Sequence, residues 1–175
     1  MKTIPGGVTA AKGFQAAGVA AAIKPNSAKK DCALIVSDCL ATAAGTFTRN
    51  LFKAPPVRWS ESVCTHGVAR AIFANSGNAN ACTGDRGYAD AQATAKMVAE
   101  GTGVIGLPWP MDRIANGVQG CLASLRADGS AAAAAAIMTT DTVPKETAVE
   151  LALSGGTVRL GASANGAGMI APNMA

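Results

Sequence analysis

Three stretches of the sequence concentrate groups that could bind or activate a substrate. Gly101-Thr102-Gly103-Val104-Ile105-Gly106 has the G-x-G-x-x-G spacing of a dinucleotide fingerprint. That motif works only between a strand and a helix, because the pyrophosphate must rest on the helix N-terminus. Here a helical pattern precedes it, and Leu107-Pro108-Trp109-Pro110 stands where a helix should begin. The same residues could form an ordinary tight turn, or could present the Thr102 hydroxyl and a backbone N–H together as donors for a developing oxyanion. Ile137-Met138-Thr139-Thr140-Asp141-Thr142 packs three hydroxyls and a carboxylate into four residues. Such side chains compete for backbone hydrogen bonds and suit a helix end; alternatively they line a site, with a hydroxyl placed to hold a substrate carboxylate. Asn75-Ser76-Gly77-Asn78-Ala79-Asn80 and the following Ala81-Cys82-Thr83-Gly84 suit a loop, since Asn and Gly tolerate positive φ, or a brace around an active site.

Other reactive constellations are sparse. His66 is the only histidine, which leaves little for a zinc site or a Cys/His nucleophile pair. The five cysteines are odd in number, lack C-x-x-C spacing and follow no secretory h-region, so they point to small buried hydrophobes in a reducing, cytoplasmic setting. No apolar run reaches the roughly 20 residues of a membrane span.

The scaffold that must position these groups divides in two. Residues 1–75 read as strands separated by turns: Val19–Ile23, Cys32–Val36, Ala43–Phe47 and Val68–Phe73, each bounded by Gly, Pro, Asn or Ser. From Tyr88 the period lengthens. Tyr88, Ala91, Ala95 and Val98 predict one helix, Ile114, Val118, Cys121, Leu122 and Leu125 a second, and the alanine run 131–136 a third reaching about Met138. Thr147–Leu153 and Thr157–Leu160 flank Gly155-Gly156 and predict a hairpin. A length of 175 residues with 49% hydrophobic and 4% aromatic residues fits a single domain, 1–175, whose core is built from small aliphatic side chains. The expected class is α/β or layered α+β.

The net charge of +4 is uneven: residues 1–70 carry nine Lys or Arg against three acids, and residues 71–175 carry six against eight. That excess could draw an acidic small molecule. It falls short of the dense basic stripe that nucleic acid requires.

Taken in order, 75–84, Thr102–Gly106 with Pro110-Met111, Ile137–Thr142 with Pro144-Lys145, and the final Gly168–Ala175 resemble the ornithine acetyltransferase family, also called ArgJ or glutamate N-acetyltransferase. The resemblance implies an ornithine acetyltransferase/DmpA-like fold related in architecture to N-terminal-nucleophile enzymes, with the sheet continued by a separate β chain. It implies a precursor cut between Ala and Thr, which would make Ala175 the end of an α chain. The charge-free, apolar segment from Leu160 to Ala175 fits a cut end better than a solvated tail. The next Thr would head the β chain and act as nucleophile, with its own α-amino group, of pKa about 7.7 to 8.0, as the local base.

The implied reaction passes acetyl from N-acetylornithine to that Thr and then to glutamate, by ping-pong kinetics and with no cofactor or metal. By the same resemblance Thr102 and Gly103 form the oxyanion hole, Thr139 contacts substrate, and Asn165 occupies a substrate-binding position where the family usually has Lys. An α2β2 assembly, a place in arginine biosynthesis and no nucleic-acid or membrane partner follow as well. An N-terminal-nucleophile aminopeptidase of similar fold, in which water takes the acyl group, is the nearest rival. A nucleotide-binding module resting on Gly101–Gly106 is the rival of a different class.

Overall fold

The longest strand begins where charge gives way abruptly to an apolar run, after Lys29-Lys30-Asp31. In the computed structural model, which describes residues 1–24, 26–101 and 111–166, β3 runs over Cys32–Thr42. It lies between β2 (Phe14–Val19) and β4 (Val68–Asn75) in an antiparallel sheet of order β2-β3-β4. Ala17 sits opposite Leu34, and Leu34 opposite Phe73; the β3–β4 register breaks between Val36 and Ala41.

Side chains alternate across a strand, and helices pack on both faces of this sheet. Ala17, Cys32, Leu34 and Val36 meet Val98, Ile114, Val118 and Cys121 from α2 (Gly84–Gly101) and α3 (Met111–Ala123). Ala16 and Ala33, on the opposite face, meet Ala133 and Ala136 of α4 (Ser130–Ile137). The approach of α4 is close because the facing residues are small: a Cβ at Gly18 would collide with the Ala132 carbonyl oxygen. A core poor in aromatics therefore packs by bringing backbones together.

A second antiparallel sheet has the order β1-β5-β6, with β1 at Lys2–Ile4, β5 at Lys145–Leu153 and β6 at Gly156–Ala164. The hairpin predicted around Gly155-Gly156 is present, its two-residue loop being Ser154-Gly155. β6 is exposed along nearly its whole length.

Neither Val19–Ile23 nor Ala43–Phe47 forms the strand expected of it, and a helix stands where none is expected. The run Val19–Ile23 is strand only as far as Val19; beyond it the backbone N–H groups turn to a carboxylate instead of a ladder, as described below. Ala43–Phe47 forms no strand. α1 (Pro55–Cys64) fills part of a region expected to hold strands alone, and its prolines occupy the first helical turn, where their missing N–H costs nothing.

Candidate active site

The Asp31 side chain, fully buried at the head of β3, organises the turn that follows β2. Its carboxylate accepts the backbone N–H of Ala21 at 2.6 Å, Ile23 at 2.7 Å and Lys24 at 3.0 Å. To aim these N–H groups at one anion, the chain passes through the left-handed region at Ala22, with φ 57°. A buried carboxylate is tolerable when several donors replace its water. The Asp31 carbonyl in turn accepts the N–H of Ser76 at 2.9 Å, so the same residue anchors the loop after β4.

A helix leaves its last carbonyls without intrahelical partners. At the end of α4, three consecutive carbonyls are taken by side chains from three separate places. Ser76 donates its hydroxyl to Ala136 O at 2.6 Å, Asn165 donates Nδ2 to Ile137 O, and Lys24 donates Nζ to Met138 O at 2.9 Å. Lys24 Nζ also reaches Lys30 O at 2.9 Å. Burial pulls the Lys24 ammonium below its usual range, and the nearby Asp31 carboxylate opposes that shift.

Beyond α4 the chain is gathered by Asp141, whose side chain is 1% exposed. It pairs with Lys145 and accepts the N–H of Thr139 at 3.0 Å, the N–H of Gly166 at 3.0 Å and Asn165 Nδ2 at 3.2 Å. The Lys145 contact, helped by the two backbone donors, holds this carboxyl well below the usual carboxylate range. Ile137–Thr142 is thus a helix end whose carboxylate faces inward to the fold while Thr139 stands exposed.

Thr139 borders an open cleft of about 710 Å³, lined also by Lys24, Asn75, Gly77, Asn78 and Asn80. The amides of the 75–80 loop mostly brace the loop itself. Asn75 Nδ2 donates to Asn78 O at 3.1 Å, and Asn80 Nδ2 donates to Gly87 O at 3.1 Å while its Oδ1 accepts the Thr83 hydroxyl. Of the site residues expected from the sequence, Thr139 is on the cleft, and Asn165 lies against the same helix end with both amide hydrogens directed to Ile137 O and Asp141. Thr102 and Gly103, like the apolar segment ending at Ala175, lie outside the described residues. The G-x-G-x-x-G stretch fails as a dinucleotide fingerprint, because the element leading into Gly101 is α2 and not a strand.

The profile of the ArgJ family matches residues 15–175. The chain belongs to the ArgJ family. The arginine biosynthesis bifunctional protein ArgJ of Symbiobacterium thermophilum is 50% identical over 188 aligned positions, which cover 100% of this chain and 47% of that protein. Its counterpart in Thermosynechococcus vestitus is 48% identical over 98% of this chain and 44% of its own length. The chain therefore spans about half the length of these ArgJ relatives. Among solved structures, the ornithine acetyltransferase of Mycobacterium tuberculosis complexed with ornithine superposes with a TM-score of 0.84 at 43% identity, covering 97% of each chain. ArgJ of Bacillus halodurans superposes at 0.81 with 39% identity, over 94% of this chain and 92% of its own. The fold of this ArgJ chain is accordingly that of the ornithine acetyltransferases, of the N-terminal-nucleophile type expected from its motifs.

Ser76 falls in the 75–80 stretch expected to make a loop or brace a site, whereas nothing in the motifs points to Lys24 or Asp31. A lone acid directly before a buried apolar run was the available signal for Asp31, since a charge so placed must find donors nearby. Among the described residues no cluster of three or more His, Cys, Asp or Glu could hold a metal ion, and no helix is long and apolar enough to cross a membrane.

Proposed function

We propose that this chain is the substrate-wall half of a glutamate N-acetyltransferase that takes acetyl from N-acetylornithine and delivers it to glutamate. The observation that carries this reading is the match along nearly the whole chain to the ornithine acetyltransferase solved with ornithine, at 43% identity. The cleft beside Thr139 supports it: at about 710 Å³, bordered by Thr139, Lys24 and the amide-rich 75–80 loop, it has room for a small amino-acid derivative.

In this reading a Thr at the head of a separate β chain attacks the acetyl carbonyl. Its α-amino group receives the hydroxyl proton, and ornithine leaves with a proton as the free amine. Glutamate then attacks the acyl-threonine through its amino group, and the threonine oxygen is released. Thr102 and Gly103 stabilise the tetrahedral oxyanion in both halves, where loss of one donor typically costs about 2.7 to 4 kcal/mol. Thr139 contacts the donor substrate. Asn165 brings no charge to its position, and its amide hydrogens serve the α4 end and Asp141, so the donor is held there without the cation usual in the family. The processed pairs assemble as α2β2, and a cytoplasmic location accords with five free thiols.

The test is incubation of the complete processed enzyme with N-acetylornithine, with and without glutamate. Acetylglutamate formed only with glutamate is the expected result; acetate release irrespective of glutamate would instead make the protein a hydrolase. N-terminal sequencing of the companion polypeptide should begin at Thr.

A further inference from the structure

We propose that Lys24 is a positioning residue for the acetyl-transfer site and acts through Thr139. Among the described residues, Lys24 is the one charged residue bordering the cleft. Its ammonium is not simply presented to solvent, because it joins Met138 O to Lys30 O at 2.9 Å each. Met138 directly precedes Thr139 and has left the helix, with φ −62° and ψ 139°, so fixing its carbonyl fixes the peptide plane from which Thr139 emerges. A cation is suited to this place: it lies where the partial negative charge of a helix C-terminus collects, and an ammonium can serve two carbonyls at once.

The neighbouring loop is shaped around this strap. Gly77 adopts φ 96°, a conformation that favours glycine, and a Cβ there would stand 2.5 Å from Lys24 Cγ and 3.0 Å from Lys24 N. The Lys24 stem therefore crosses Gly77 at the only separation that an absent side chain permits. Three elements converge on the peptide before Thr139: the Asp31-held turn delivers Lys24, the 75–80 loop leaves it a path, and the end of α4 receives it. The inference rests on the reading of Thr139 as a substrate contact, and the experiment separates the two.

Steady-state kinetics with N-acetylornithine would be measured on the complete enzyme carrying Thr139→Ala, Lys24→Met, both together, and Lys24→Arg. Thr139→Ala is expected to lower kcat/KM at least tenfold. Lys24→Met should lower it several-fold, mainly through KM, and should add nothing in the Thr139→Ala background. Lys24→Arg, whose guanidinium can still donate to Met138 O, should recover most of the loss. Gly77→Ala approaches the same strap from the other side, and should reproduce the KM rise. Multiplicative losses in the double variant, or an unchanged kcat/KM in Lys24→Met, would overturn the role of Lys24 alone. No effect of Thr139→Ala would overturn the site reading itself and Lys24 with it.

Discussion

Ser76 and Ala136, 60 positions apart, are joined by a buried hydrogen bond of 2.6 Å from hydroxyl to carbonyl. The bond ties the loop after β4 to the end of α4, and so links the central sheet to the segment that carries Thr139. Ser76→Ala should leave the Ala136 carbonyl without a partner in a place where Ser76 is only 3% exposed. An unsatisfied buried acceptor costs about 1–3 kcal/mol. Urea unfolding of the complete protein should show that loss at an unchanged slope, and an unchanged midpoint would mean that water replaces the hydroxyl freely.

Asp31→Asn tests the carboxylate that gathers the Ala21–Lys24 turn. An amide offers one acceptor oxygen where two are used, and its NH2 group would face N–H donors. Hydrogen bonds to a charged partner are worth about 1.5–3 kcal/mol each, so destabilisation of at least that size is expected. Retention of full stability would show that the turn is held by its neighbours and not by Asp31.

Asp141 makes stability depend on pH with a definite sign. Its folded-state pKa is depressed below the ordinary 3.8, chiefly by Lys145. The unfolded chain therefore binds the proton more readily, and the stabilisation is fully present above the unfolded value and is lost as pH falls through the folded one. Melting temperatures of wild type and Asp141→Asn should differ by a constant amount near neutrality and converge below about pH 4. A gap that stays constant down to about pH 3 would remove Asp141 from this role.

The thiols should divide by burial. Cys32 and Cys121 are fully buried; desolvation pushes the Cys121 thiol up to about 12 and the Cys32 thiol higher still. Cys39 and Cys82 are exposed. Since the thiolate is the reactive form, a thiol reagent at neutral pH should label Cys39 and Cys82 within minutes, and Cys32 and Cys121 only on unfolding. Early labelling of Cys121, read by peptide mass, would contradict the packing of α3 on β3.

Much of this architecture could be read in the residues, and the exceptions have physical causes. The periods of α2, α3 and the β5–β6 hairpin declare themselves because one face of each helix is apolar and a glycine-containing turn separates two alternating runs. Ala20-Ala21-Ala22-Ile23 misleads because apolar composition says that a segment is buried and not which acceptor its N–H groups will find; the acceptor is a side chain up to ten residues away. α1 was hidden by its prolines, which break a helix in the middle and begin one at the edge. At the site, Thr139 and Asp141 were visible as a polar cluster after an alanine helix. The caps from Lys24, Ser76 and Asn165 were not visible, because they join residues 28 to 114 positions apart and only the completed fold brings them together.

The nine residues of β6 leave Val158 at 40% and Leu160 at 53% exposure, on a strand whose one ladder partner among the described residues is β5. Such a border is adhesive by construction, since any extended polypeptide can continue the ladder and shed water from those side chains. Purification of this half by itself should therefore be a contest with self-association that worsens with concentration, and Leu160→Lys is the substitution expected to ease it.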